Sequence, residues 1–178
     1  MRPVPTYHLT PHPDHPPLAV RGVEVEVTGR DDGVRLGYRV LAPETVLTPE
    51  RLSPARADEL WRTTCFELFL RFDDDEQYVE FNFSPSTRWA AYAFDGYREG
   101  MTALDRDVDP RIQRRPDGVA VACNLRGLPY GGLAMALTAV IEETDGTKSY
   151  WSLAHPPGAP DFHHPACFVA RLPAPAAQ

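Results

Sequence analysis

The chain is short of cysteine, of helical periodicity and of long apolar runs, and each shortage closes off a class of protein. Only three cysteines stand in 178 residues, at Cys65, Cys123 and Cys167. Their odd number, with no CxxC or CxxCH spacing, excludes a disulfide framework, a cysteine zinc cluster and covalently attached haem. Cys65 and Cys123 fall inside apolar runs, where a thiol acts as a small core residue. No apolar run approaches the ~20 residues of a membrane-spanning helix. The opening MRPVPTYHLTPHPDHPP lacks the apolar segment and small-residue cleavage pattern of a secretory signal. A cytoplasmic protein with no membrane partner is therefore expected. Positive charge is also scarce: 18 Lys and Arg against 25 Asp and Glu give a net charge of −7. Phosphates repel such a surface, so no nucleic-acid partner is expected.

Proline, by contrast, is abundant, with 19 residues, about twice its usual share. It gathers in the first 17 residues, in 43–54 and in 156–175. Proline interrupts helices and central strands, so these regions read as loops or edges.

Between them, apolar and polar residues alternate with the period of a strand. VEVEV places Val23, Val25 and Val27 on one face, and VRLGYRV does the same with Val34, Leu36, Tyr38 and Val40. FELFLRF and YVEFNF flank the acidic turn DDDE, and GVAVACNL, LAMALTAVI, SYWSLA and CFVARL follow. One short helix of about two turns is expected over ARADELW, with Ser53 as its cap and Pro54 at its first position. About eight to ten short strands, with turns between them and at most one or two short helices, predict an all-β antiparallel sandwich of jelly-roll or immunoglobulin-like type. The expected organisation is a Pro/His-rich segment over 1–20, one domain over 21–172 and a disordered tail over 173–178.

Alternation also points to a face that carries chemistry. Phe66, Leu68, Leu70 and Phe72 share one side of the first strand of the FELFLRF hairpin, and Val79, Phe81 and Phe83 share one side of the second. Burying each such side chain contributes about 1.5 to 3 kcal/mol, so these sides meet the core. The opposite side then bears Cys65, Glu67, Phe69 and Arg71 beside Tyr78, Glu80 and Asn82. If DDDE is a four-residue loop, Phe72 pairs with Gln77 and Glu67 lies opposite Asn82. Trp61 just upstream and Arg88 just downstream frame that carboxylate and carboxamide. A solvated outer face is the plainer reading of the same pattern.

At these residues the chain resembles the DOMON-like β-sandwich domains, in particular those similar to family 9 carbohydrate-binding modules. The resemblance spans about residues 21 to 172 and rests on LWRTTCFELFL, YVEFNFSPSTRWAAY and SYWSLAHPPGAPDFHHPACFVARL. Trp61 and Glu67 resemble the family's entrance to its strand, and Asn82 and Arg88 stand where an amide and an arginine follow. In those modules two aromatic side chains clamp a sugar while the polar groups hydrogen-bond its hydroxyls. The second aromatic comes from the loop before the last strand, where Phe162 stands in place of the usual tryptophan. The resemblance implies a non-catalytic domain that binds a carbohydrate or another small polar ligand and needs no cofactor. Trp61 and Phe162 would be its walls, Glu67 and Asn82 its floor, and Arg62, Arg88, Asp161 and His164 its polar rim.

Other readings use the same residues. A protein-interaction module or a homodimer would use the same aromatic face. A metal site would draw on His155, Asp161, His163 and His164, but no HxH or HExxH spacing occurs, and no metal is expected. Some DOMON domains resemble b-type cytochromes, for which Met101, Met135 and the loop histidines are available. Glu67 and Glu80 form a carboxylate pair on one strand face rather than on two sides of a cleft, so catalysis is not expected. Trp151 alternates with Leu153 and reads as core, whereas Tyr97 and Arg98 read either as a second pocket wall or as a hairpin end.

Overall fold

Strict alternation forces most strands to be apolar on one side, so the strands must stack in two layers to hide that side. The structure, a computed structural model, describes residues 4–72, 75–104, 108, 110–125 and 133–174. Twelve strands are present among them: β1 (Thr6–Pro11), β2 (Gly22–Arg30), β3 (Gly33–Leu41), β4 (Cys65–Arg71), β5 (Tyr78–Phe83), β6 (Trp89–Phe94), β7 (Thr102–Ala103), β8 (Arg111–Arg115), β9 (Gly118–Asn124), β10 (Ala134–Glu142), β11 (Lys148–Ser152) and β12 (Ala170–Arg171). All pair antiparallel in one curled sheet, ordered β7-β6-β5-β4-β10-β11-β1-β2-β3-β9-β8, with β12 also on β10. The expected all-β, sandwich-like fold is observed.

The sheet doubles back through β1. Thr6 to Leu9 pair with Glu26 to Val23 of β2, while Thr10 and Pro11 pair with Ser152 and Trp151 of β11. One strand thereby belongs to both layers. The core lies between them: Val23, Val25, Leu36 and Tyr38 from one layer meet Phe66, Leu68, Phe81, Met135 and Trp151 from the other. Trp151, Met135, Cys65 and Cys123 are buried, in line with their apolar alternation. Tyr38 crosses the core to donate its hydroxyl to the backbone carbonyl of Glu67.

Two local expectations fail. The proline-rich start, read as loop or edge, contains β1, with Pro5 just before the strand and Pro11 at its last position. The proline rings thus bracket the pairing instead of interrupting it. The expected helix after Ser53 is absent: Trp89 N donates to Ala55 O and Ala57 N to Trp89 O, which stretches the segment along β6. Those non-local hydrogen bonds outcompete a two-turn helix that is marginal in isolation, and only a 3-10 turn at Leu60–Arg62 forms. Asp73 and Asp74 of the acidic turn, and residues 175–178 of the expected tail, lie outside the described residues.

At the open end of β10, buried Glu143 ties three segments together. It accepts hydrogen bonds from Leu18 N at 2.6 Å, Ala19 N at 2.9 Å and Thr45 Oγ1 at 2.5 Å. Burial alone would raise its carboxyl pKa, but the Thr45, Leu18 and Ala19 donors outweigh burial and hold it below the ordinary range. Replacing Glu143 by alanine strands these donors and is expected to cost about 2 to 4 kcal/mol, read as a lower urea midpoint. An unchanged midpoint would show that the three segments hold without it.

Candidate functional site

The layer containing β4, β5 and β10 is unusual because its second face is also closed to water. Cross-strand pairing arranges that outer face in rows. One row reads Ala90, Asn82, Glu67, Thr138 and Ser152 across β6, β5, β4, β10 and β11. The next reads Tyr92, Glu80, Phe69 and Ala136, and the one after it Phe94, Tyr78, Arg71 and Ala134. Two of the three rows are mainly apolar or aromatic, and one is polar.

The loop between β11 and β12 roofs the aromatic rows. His163 sits edge-on to Phe69 at 5.3 Å and to Phe94 at 5.1 Å between ring centroids, and Phe168 meets Phe69 at 6.3 Å. Tyr78 and Phe94 stack beneath His163 at 4.6 Å. A latch holds this roof down. Asp161 accepts hydrogen bonds from Tyr97 Oη, from the Arg98 guanidinium at 2.8 Å and from His163 N at 3.2 Å. Burial opposes the Asp161 charge, but the Tyr97 and Arg98 donors outweigh it and hold the carboxyl below its ordinary range.

The polar row is buried beside this roof. Glu67 is 3% exposed, Glu80 5% and Asn82 0%. Thr138 Oγ1 donates to Glu67 Oε2 at 2.8 Å, and Asn82 Nδ2 donates to Glu80 Oε1 at 2.8 Å. Arg98 N donates to Tyr78 Oη at 3.2 Å, and Tyr78 Oη and His163 Nδ1 share a hydrogen bond at 2.8 Å. The other ring nitrogen, Nε2, lies 3.8 Å from Glu80 Oε2. Burial, with the Arg98 charge, lowers the His163 pKa to about 4, so the ring is neutral at physiological pH. Burial raises the pKa of both carboxyls, with the nearby Glu80 charge adding at Glu67; the Thr138 and Asn82 donors only partly oppose it. Two buried carboxyls that resist ionisation beside a neutral imidazole can donate as well as accept hydrogen bonds, as vicinal hydroxyls require.

The residues marked by sequence scatter around this floor. Glu67 and Asn82 are direct cross-strand partners, as the four-residue turn implied. Trp61, 38% exposed, leans edge-on over Tyr92 at 6.3 Å, and Tyr92 in turn donates to Asp58 at 2.6 Å. Phe162 packs instead near Tyr150 of β11, at 6.2 Å. The strands β5, β4 and β10 lie between those carrying Tyr92 and Tyr150, an interval of about 19 Å of sheet at ~4.8 Å per strand. The two aromatics therefore stand at opposite sides of the polar row and not face to face. Arg62 pairs with Glu59 at 2.7 Å on the surface. Arg88 falls on the outer face by parity, and its Nε is buried without a hydrogen bond among the described residues. His164 accepts from Ala166 N at 3.1 Å, capping the 3-10 turn Pro165–Cys167. Asp161 is taken up by the latch.

Sequence reasoning passed over Thr138, Tyr78, Tyr92 and His163 as site residues and left Tyr97 and Arg98 undecided. Alternation did put Tyr78 on the outer face without marking it as a site residue, but Thr138 enters only through the pairing of β10 with β4, which no local pattern encodes. No group of three or more His, Cys, Asp or Glu among the described residues is placed to hold a metal ion. Met135 points into the core on the side of the sheet opposite His163, so the two do not face a common ligand.

No protein family matches the sequence, and no curated protein matches it. Among solved structures, the chain resembles a candidate carbohydrate-binding protein from Bacteroides uniformis. The identity is 14% and the TM-score 0.64, over 93% of this chain and 84% of that one. That likeness shows the fold.

Because the folded-state pKa values of Glu67 and Glu80 lie above their unfolded values, the native state binds more protons than the unfolded chain between the ordinary carboxylate range and neutrality. The contribution of these two carboxyls to stability therefore rises as pH falls, from about pH 8 to about pH 4.5, and below about pH 6.5 the lowered pKa of His163 opposes part of it. Glu67→Gln keeps an acceptor for Thr138 and is expected to flatten this rise, measured as melting temperature against pH. An equally steep profile in the variant would place the titration elsewhere.

Proposed function

We propose that the chain is a non-catalytic binding domain for a carbohydrate or similar polyhydroxylated ligand, DOMON-like and similar to family 9 carbohydrate-binding modules. The carrying observation is the buried row of Asn82, Glu67 and Thr138 beside aromatic rows on the outer face, with an exposed indole at one side. Such a row is costly to bury and adds nothing to the core, which lies on the other side of the sheet. Carboxyl, carboxamide and hydroxyl groups in one line match a run of sugar hydroxyls, and Trp61 offers a stacking surface. The separation of Trp61 from Phe162 favours a ligand lying across the strands over a single ring clamped between them. The structural likeness to a candidate carbohydrate-binding protein supports the same reading.

A protein-interaction role is favoured by one observation: Trp61, Tyr97 and Met101 expose large apolar surface, at 38%, 48% and 57%. Titration calorimetry against a panel of mono- and oligosaccharides tests the carbohydrate reading. Oligosaccharides are expected to bind more tightly than their monomers. Trp61→Ala should weaken the best ligand by about tenfold or more while leaving the melting temperature near wild type. No heat with any sugar, together with mass that grows with protein concentration, would favour the interaction role.

A further inference from the structure

We propose that the outer face of the β2–β3–β9–β8 layer, on the far side of the molecule from the polar row, is a docking groove for an extended acidic polypeptide segment of a partner protein. Its floor is made of small residues: Gly37, Ala120 and Ala122 occupy adjacent outward positions on β3 and β9. Arg35 and Arg111 stand on either side of Ala122 as its two cross-strand neighbours, about 10 Å apart across two strand spacings. Two open concavities of about 550 Å³ and about 420 Å³ meet at Arg35, Ala122 and Arg111. Arg115 lines the far end of the first and Arg30 the far end of the second.

Charge makes this face exceptional in an acidic chain. The protein carries −7 overall, yet four arginines line these concavities against two acidic residues, Glu26 and Asp32. The remaining outward acid of β2, Glu24, is already taken by Arg39 at 2.5 Å and His8 at 3.5 Å. No ion pair engages Arg30, Arg35, Arg111 or Arg115 among the described residues. Guanidinium groups spread over a floor of glycine and alanine suit carboxylates, which they grip in two-pronged fashion.

The occupant follows from spacing and from what the groove lacks. Same-face positions repeat every ~6.8 Å along a strand, and an extended peptide presents its side chains with that same repeat. An acidic segment laid obliquely across the floor from β8 to β2 therefore passes Arg115, then, two repeats on, the Arg111 and Arg35 pair, and one repeat further Arg30, with the small residues Gly37 and Ala120 in the interval. No aromatic ring lines either concavity, so a sugar chain would find no stacking surface.

Fluorescence anisotropy with a labelled octaglutamate peptide tests this, with octalysine and a size-matched heparin fragment as parallel probes. Octaglutamate is expected to bind, with affinity falling about tenfold or more between roughly 0.05 and 0.3 M salt, and octalysine is expected not to bind. The double variant Arg35→Gln/Arg111→Gln should weaken octaglutamate about tenfold or more. Arg21→Gln/Arg51→Gln, which removes equal charge outside the groove, should leave it near wild type. All four positions are on the surface, so the variants should melt like the parent. Equal binding by the groove variant, equal weakening by the control variant, or binding of heparin alone would each overturn the proposal. Sugar binding at the polar row is a separate readout and is not expected to change.

Discussion

The layer β6–β5–β4–β10–β11 is largely buried on both sides, and the rest of the molecule is arranged around keeping water from both. Phe66, Leu68, Phe81 and Phe83 fill the interior between the layers, while Phe69, Tyr78, Tyr92 and Phe94 line the outside. A second layer of strands covers the first set. The outer set is covered by chain without regular structure, the segment around His163 and Phe168, which must supply its own anchoring. The Asp161 contacts to Tyr97 and Arg98 provide that anchoring, because a loop rich in proline has few backbone donors with which to pair. Asn82, Glu67 and Thr138 lie where this roof meets the exposed Trp61, so polar groups are confined in a place that hydrophobic packing alone would never select.

Two kinds of buried acid illustrate how surroundings, and not residue type, decide charge. Glu143 receives two backbone N–H groups and a hydroxyl and is held ionised as a structural tie. Glu67 and Glu80 receive one side-chain donor each and lie close enough to oppose one another's ionisation. The first acid is finished chemically, its acceptors occupied by its own chain. The second pair is provided with fewer donors than its lone pairs can take, which is the condition for engaging something from outside.

How much of this was legible in the sequence depended on the range of the interaction involved. The face assignment on β4 and β5 and the pairing of Glu67 with Asn82 followed from alternation and the length of one turn, both local quantities. Trp151 and Met135 read correctly as core for the same reason. The stretch after Ser53 read as helix because its own residues favour one, and it is extended because Trp89, more than thirty positions away, hydrogen-bonds its backbone. Thr138 and His163 were invisible as partners of Glu67 and Glu80, since only the pairing of β10 with β4 and the path of the roof bring them there. Burial itself was the quantity least accessible: alternation puts Glu80 on the outer face, but nothing local says that a loop eighty residues later will cover it.

β1 has a consequence for how the chain reaches this state. Its first half needs β2, which follows closely, but Thr10 pairs with Ser152, 142 positions away. β1 can complete its hydrogen bonds only when β11, far along the chain, is in place. During synthesis its inner half must wait with open donors and acceptors while the β2–β3 hairpin is already able to form. Pairing of β1 with β11 therefore closes a very long loop, and contacts of such high sequence separation are of the kind that slow folding. The prolines that bracket β1 suit that delay, because a strand edged by residues without an N–H group is a poor template for a neighbouring unfinished chain.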